Sequence, residues 1–391
     1  MRAGLVMLCV AYLLSQFFRA FLAVLGGVLA RDIGATTGDL AIASGLWFIA
    51  FAVMQLPVGW ALDRVGPRLT ACVPLLLGGA GGAALFAAAT GPMHVNIAML
   101  LIGIGCSPVL MAAYYIIARQ YSVARFATLA AVLMGVGSLG NIVASYPMAW
   151  SVETFGWRLS LAGLAALSAL AAAGIAVFVR DPARLEDGQR GSFLDLLRMR
   201  LLWPVLVMMF AAYFPAAVIR GLWIGPYLGD IFALDTRQVG QATLVMGVAM
   251  VAGTLLYGPL DRIFRTQKWV CFTGNVICAA LILLLAATVG QSVGLSVALC
   301  ALIGLTGASF PLVVAHARSF LPPHLTGRGV TLVNLVGIGG AGVMQFGSGP
   351  LHAAIAGTRG AEAAYATLFG IFGVTLLAAT LVYLRSRDHG A

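Results

Sequence analysis

The chain reads as an all-α membrane protein of twelve transmembrane helices in two six-helix bundles. Three observations predict this. Of 391 residues, 61% are hydrophobic and only 9% charged, whereas a water-soluble domain carries about 25% charged residues. Mean hydropathy is +1.00, and apolar runs long enough to cross a bilayer, about 20 residues each, recur throughout. The two halves also repeat one another. A soluble enzyme, a disordered tail and a secreted disulfide scaffold are excluded.

Apolar runs between charged or Pro/Gly turns define each span in order. The first, 5–29, is closed by Arg31; the second, 41–61, lies between Asp39 and Asp63. The third and fourth, 70–90 and 95–118, meet at Gly91-Pro92, and the fifth and sixth, 127–150 and 157–179, at Gly156. After a polar segment come 202–228, 239–259, 269–289, 293–317, 329–351 and 362–384, divided by Asp235, Asp261, Gly290, Arg318 and Gly360. The polar segment reads RDPARLEDGQRGSFLDLLRMR and parts the spans six and six. It predicts an N-terminal bundle over 1–179, a cytoplasmic linker over 180–201 ending in an amphipathic surface helix, and a C-terminal bundle over 202–391. The first apolar run is too long for a signal-peptide core, so it is expected to stay in the membrane.

The net charge of +10, from 23 Lys+Arg against 13 Asp+Glu, sits in short loops. Positive-inside bias accounts for it better than nucleic-acid binding does. With a cytoplasmic N-terminus, 17 basic residues fall inside and four outside, namely Arg31, Arg158, Arg237 and Arg359. Both termini are therefore expected in the cytoplasm, with the bilayer as the main partner. Cys9, Cys72, Cys106, Cys271, Cys278 and Cys300 all fall in spans and read as small apolar packing residues.

The repeat has a nearly constant offset. Tyr12 and Arg19 return 201 residues later as Tyr213 and Arg220, and Leu101-Ile102-Gly103 returns as Leu302-Ile303-Gly304. Asp63-Arg64 returns after 198 residues as Asp261-Arg262. Arg125, Thr128, Leu129, Gly137 and Pro147 return after 203 residues as Arg328, Thr331, Leu332, Gly340 and Pro350. Six spans per half give both halves one orientation, a parallel repeat about the membrane normal.

The turn after the second span contains Gly59, Asp63, Arg64, Gly66 and Arg68. This resembles the G-x-x-x-D-R-x-G-x-R signature of the major facilitator superfamily, with a degraded copy at Gly258, Asp261 and Arg262. Gly156-Trp157-Arg158 resembles the same family. The resemblance covers the whole chain and implies alternating access, with the motif charges latching the cytoplasmic side. The uncharged fourth-span stretch Asn96 to Leu100 departs from proton-coupled members. Gly135 to Gly140 lacks the Gly-Pro pair of drug antiporters.

Only Arg19 and Arg220 fall well inside spans, and no Asp or Glu does. A charge at the bilayer centre costs about 2.5–3.5 kcal/mol, so each is a functional candidate. Guanidinium offers a two-pronged donor to a carboxylate or phosphate. Tyr12 precedes Arg19 by seven residues and Tyr213 precedes Arg220 by seven, which on a continuous helix shares a face. This pattern resembles the family's organophosphate:phosphate antiporters and its sugar-phosphate-permease-like and nitrate-transporter-like members. Ala20, however, stands where those antiporters carry a Lys. Tyr115 and His316 occupy matched positions and join the candidate substrate-binding set, His316 also as a proton carrier or a structural residue.

The expected function is secondary transport of a small carboxylate or phosphate ester across a bacterial inner membrane, with a counter-anion or proton as partner. A monomer with no cofactor, no metal and no catalytic residues is expected. The rival readings are a proton-coupled exporter of drugs or other solutes, a copper importer using Met246 and Met250, and a non-transporting receptor.

Overall fold

The computed structural model describes residues 2–121, 123–182, 196–321 and 326–388, without the side chains of residues 2, 123–128, 131, 262 and 326–328. Most of the expected linker and its surface helix, and the Arg262 side chain, lie outside the described residues. Among the described residues there is no β-strand. Ten helices are long and apolar enough to cross a membrane, and two bent pairs bring the total to twelve if each pair is one span.

The first span is one of those pairs, Arg2–Phe17 and Leu22–Ile33, bent by 57°. No Pro or Gly lies at the bend. Instead the backbone exchanges its i−4 ladder for tighter i−3 bonds, Ala20 N–H to Phe17 O and Val24 N–H to Phe21 O, while the Phe17, Phe18 and Phe21 rings pack together. The second span, Thr37–Arg64, opens with a capping box. The Thr36 hydroxyl accepts from the Asp39 N–H, and the Asp39 carboxylate accepts from the Thr36 N–H, which satisfies backbone donors that the first turn leaves open. The third span, Pro67–Ala87, contains a π turn at Leu75–Ala80. The fourth, Pro92–Gln120, starts with Pro at a helical position that needs no N–H.

The fifth span is the second bent pair, turning by 45° before Tyr146–Phe155, where Pro147 near the start of the new helix has no N–H to carry the ladder across. The sixth, Trp157–Phe178, is one continuous apolar helix. The seventh, Arg200–Phe232, has a π turn over Ile219–Trp223. The later helices are Thr236–Phe264, Lys268–Ala287, Val293–Ser319, Thr326–Arg359 and Ala361–Tyr383. The eleventh thus runs well past residue 351, where the sequence reading ended it, and carries His352 inside a span.

The chain divides into two compact units, Met1–Glu186 with Asp235–Gly240, and Asp187–Leu234 with Gln241–Ala391. Within the first unit the first span packs on the fifth and sixth, and the third on the sixth. Within the second unit the seventh packs on the eleventh and twelfth, and the ninth on the twelfth. The same pairings recur at the repeat offset, as expected if each half folds by one pattern of apolar faces. Each core is aromatic: Phe18, Phe21, Trp47, Phe48 and Phe86 in the first, and Phe214, Trp223, Tyr227, Tyr365, Phe369 and Phe372 in the second. Large apolar side chains such as Leu77, Leu170, Val177 and Leu255 face outward, an exposure that suits lipid.

Candidate functional site

Arg19 falls in the turn between the two pieces of the first span. Its guanidinium lies over two rings of the second span, 5.2 Å from the Trp47 centroid and 4.8 Å from that of Phe51. The two rings stack on each other, so the cation meets a layered aromatic face. Cation–π attraction strengthens when water is excluded, and both rings are buried. The geometry sets the Arg19 charge against buried rings within the span.

Arg220 sits inside the π turn of the seventh span and is 3% exposed. Its guanidinium lies over the backbone of Gly247 on the eighth span, where a Cβ would stand 3.0 Å from Nη2 and 3.1 Å from Nε. Any side chain at Gly247 would press on the charge. Both arginines therefore stand where the regular α-ladder is interrupted, a place where wide turns are often functional. No described Asp or Glu side chain is buried.

Tertiary packing, not helical period, places the tyrosines, and Tyr213 is close enough to Arg220 to interact with its charge. Seven residues share a face only on an unbroken helix. The first helix ends at Phe17, and the seventh widens from Ile219, so neither Tyr inherits the facing of its Arg from helical period. Tyr12 is buried and accepts from Gln16 Nε2 at 2.7 Å, and its ring lies where a Cβ on Gly137 of the fifth span would be. The Tyr213 ring packs on Phe310, 4.9 Å away. Tyr115 accepts from Arg119 one turn on, at 3.3 Å, under the same guanidinium.

His316 is fully buried at the end of the tenth span, with both ring nitrogens engaged. Nε2 is 3.0 Å from the Arg387 carbonyl, which can only accept, so Nε2–H donates and Nδ1 accepts from the Tyr383 hydroxyl. This joins the tenth span to the end of the twelfth. Met246 and Met250 both lie against Gly304 of the tenth span, an arrangement of close packing. Among the described residues no cluster of three metal-ligating side chains occurs.

In the motif turn Asp63, Arg64 and Arg68 are exposed. Gly66 has φ +102°, and a Cβ on it would stand 2.8 Å from Cγ of Asp181. That carboxylate accepts from the Arg68 N–H at 2.8 Å and so caps the third span from just beyond the sixth. The second unit repeats the device. Beyond the twelfth span, Asp388 accepts from the Thr266 hydroxyl at 2.5 Å and from the Lys268 N–H at 3.5 Å, at the start of the ninth. Asp261 is half-buried. The signal overlooked in the sequence is Arg180-Asp181 returning as Arg387-Asp388. Trp157 and Arg158 have a comparable role. The Trp157 indole donates to Asp32 at 2.7 Å, and Arg158 donates to the Ala87 and Ala89 carbonyls at 3.2 and 2.7 Å.

A second omission is a cluster in the second unit. Trp223 donates to Ser348 at 3.0 Å, His352 lies against Trp223 and Tyr365, and Tyr365 donates to Asp230 at 2.5 Å.

These features agree with comparisons to known proteins. The chain is 21% identical over 307 residues to a probable L-galactonate transporter of Escherichia coli (strain K12), a match covering 71% of this chain and 66% of that protein; the chain thus spans just under two thirds of that relative's length. The fold is similar to a D-xylose–proton symporter, with TM-score 0.80, 14% identity and coverage of 98% and 97% of the two chains. It is also similar to a mutant of the nucleoside transporter NupG, with TM-score 0.77, 15% identity and coverage of 98% and 99%. The Major Facilitator Superfamily profile matches residues 8–345. With ten to twelve membrane-length helices among the described residues, the motif turn and that match, the chain belongs to the Major Facilitator Superfamily.

Proposed function

We propose that the protein transports a small carboxylate anion of the sugar-acid type by alternating access, with Arg19 and Arg220 binding the negative charge. The observation that carries this reading is the placing of one arginine within a span of each unit, each at an interrupted helix. Cations are repelled by such groups, while a carboxylate gains charge-assisted hydrogen bonds worth about 1.5–3 kcal/mol each. The relative's printed substrate, L-galactonate, is a carboxylate of this class and supports the choice over a phosphate ester. The charge bias of the loops supports cytoplasmic termini in an inner membrane.

The test is thermal stability of the purified protein with L-galactonate, neutral galactose, inorganic phosphate and a lipophilic amine. A ligand at 100 times its Kd adds about 2.7 kcal/mol. L-galactonate is expected to raise the melting temperature and galactose to leave it unchanged. Arg19→Ala and Arg220→Ala should each weaken the response by about 10- to 100-fold in concentration. A larger response to the amine, or full response in both variants, overturns the reading.

A further inference from the structure

The second unit holds a buried imidazole with an unsatisfied nitrogen, in a setting built around it. His352 lies two turns before the end of the eleventh span and is 7% exposed. Its Nε2 is buried with no hydrogen-bond partner. The ring is held between two others, 5.0 Å from the Trp223 centroid and 4.5 Å from that of Tyr365. The polar atoms of both neighbours are committed elsewhere. The Trp223 N–H donates to Ser348, which donates to the Gln345 carbonyl at 2.7 Å, and the Tyr365 hydroxyl donates to Asp230. A buried polar atom without a partner destabilises the fold, and a Phe or Leu would fill this space without that cost. Its retention points to a task.

Resting on the transport reading above, we propose that His352 binds the coupling proton that travels with the anion. The chemistry is a single proton transfer: imidazole Nε2 takes a proton from water to become imidazolium and later returns it. The groups that face it suit both charge states. Tyr365 approaches from the twelfth span and, through its hydroxyl, orders the Asp230 carboxylate of the seventh, the nearest negative charge to offset an imidazolium. Glu362, one turn before Tyr365, turns to Gly290 instead, and Arg359 lies two turns further along the eleventh span. Trp223 belongs to the same π turn as Arg220. A charge added against Trp223 therefore acts on the turn that carries the anion-binding arginine, which ties proton and anion occupancy within one unit. A proton also cancels the charge of a monocarboxylate, so the pair crosses without opposition from the membrane potential.

Two measurements on the intact protein test this. Imidazolium quenches a neighbouring indole, so tryptophan fluorescence of the wild type should fall in a transition as the pH is lowered, and His352→Gln should abolish that transition. In proteoliposomes with L-galactonate as probe, pH-gradient-driven accumulation should fall at least about tenfold in His352→Gln, while exchange of labelled for unlabelled L-galactonate at equal pH stays within about twofold of wild type. Tyr365→Phe keeps the ring and removes the link to Asp230. It should move the titration midpoint and lower accumulation more than exchange, and it decides the matter if His352→Gln does not fold. Equal loss of accumulation and exchange, or a titration unchanged in either variant, overturns the proposal. If L-galactonate is not carried at all, the substrate reading fails by itself, and the fluorescence titration still decides whether His352 binds the proton.

Discussion

At the scale of single residues, the motif turn shows how one position meets two demands. Gly66 adopts φ +102°, which disfavours any side chain, and it also gives the Asp181 carboxylate room to reach the Arg68 N–H. Gly59, seven residues earlier in the segment before the signature Asp, has open space where its Cβ would be. Gly66→Ala is therefore expected to destabilise the protein by about 1–3 kcal/mol, and Gly59→Ala to leave stability nearly unchanged. Melting curves of the two variants in the same detergent check this; equal losses would mean that the backbone conformation is not the reason for Gly66. Arg19 and His316 show how two polar groups within spans are placed by different contacts. The Arg19 guanidinium lies over the Trp47 and Phe51 rings, so its charge meets an aromatic face. His316 spends both ring nitrogens joining the tenth and twelfth spans.

At the scale of elements, helix ends and interruptions do most of the placing. The Thr36–Asp39 capping box sets where the second span begins, and that span carries both Trp47 and Phe51. Thr36→Ala removes an acceptor for a first-turn N–H and should cost about 1 kcal/mol. Asp39→Ala breaks the reciprocal half and should cost a similar amount. Detergent melting of the two single variants and of the double reads this directly, and a double variant close to either single would show that the pair acts as one unit. The interruptions matter more for function. About two regular turns of helix would aim Arg19 by its distance from Tyr12, but the 57° bend removes that relation. The wide turn at Ile219–Trp223 does the same for Arg220. A side chain displaced in this way is directed by tertiary neighbours, Trp47 and Phe51 in one unit and Gly247 in the other.

At the scale of the whole molecule, the repeat organises two units by one plan. Each closes its third helix against a carboxylate placed just after its sixth, Asp181 in the first and Asp388 in the second. These contacts anchor the chain after each sixth helix to the turn preceding the third. The loop charges add a topological expectation. Single cysteines introduced within 183–195 and near the C-terminus should resist a membrane-impermeant thiol reagent in intact cells. Cysteines introduced at residues 34–36 or at Gly360 should react, provided that the native thiols are first replaced by Ala or Ser. Labelling of the first group in place of the second would reverse the orientation inferred from the Lys/Arg bias.

Much of the architecture was legible in the residues because the bilayer imposes a simple rule. Every span must be about 20 apolar residues of self-satisfied backbone, so counting apolar runs finds the segments, and charge counting adds an expected orientation. The repeat is legible for the same reason, since matched positions survive in matched environments. The Gly66 turn and the two deep arginines stood out as exceptions to an apolar background. Facing and termination were not legible. The break at residues 18–21 contains no Pro or Gly and follows from how three Phe rings pack. The π turn at Ile219–Trp223 has no local signature either. His352 escaped notice because Gly, His and Ala near the end of the eleventh span are too weakly hydrophobic to extend a run, although packing against Trp223 and Tyr365 continues the helix through them to Arg359. Composition and period act through each residue's own transfer energy and local backbone preference. Which polar atom is buried, which ring covers a cation and where a helix bends depend on side chains far apart in sequence, so only the folded chain specifies them.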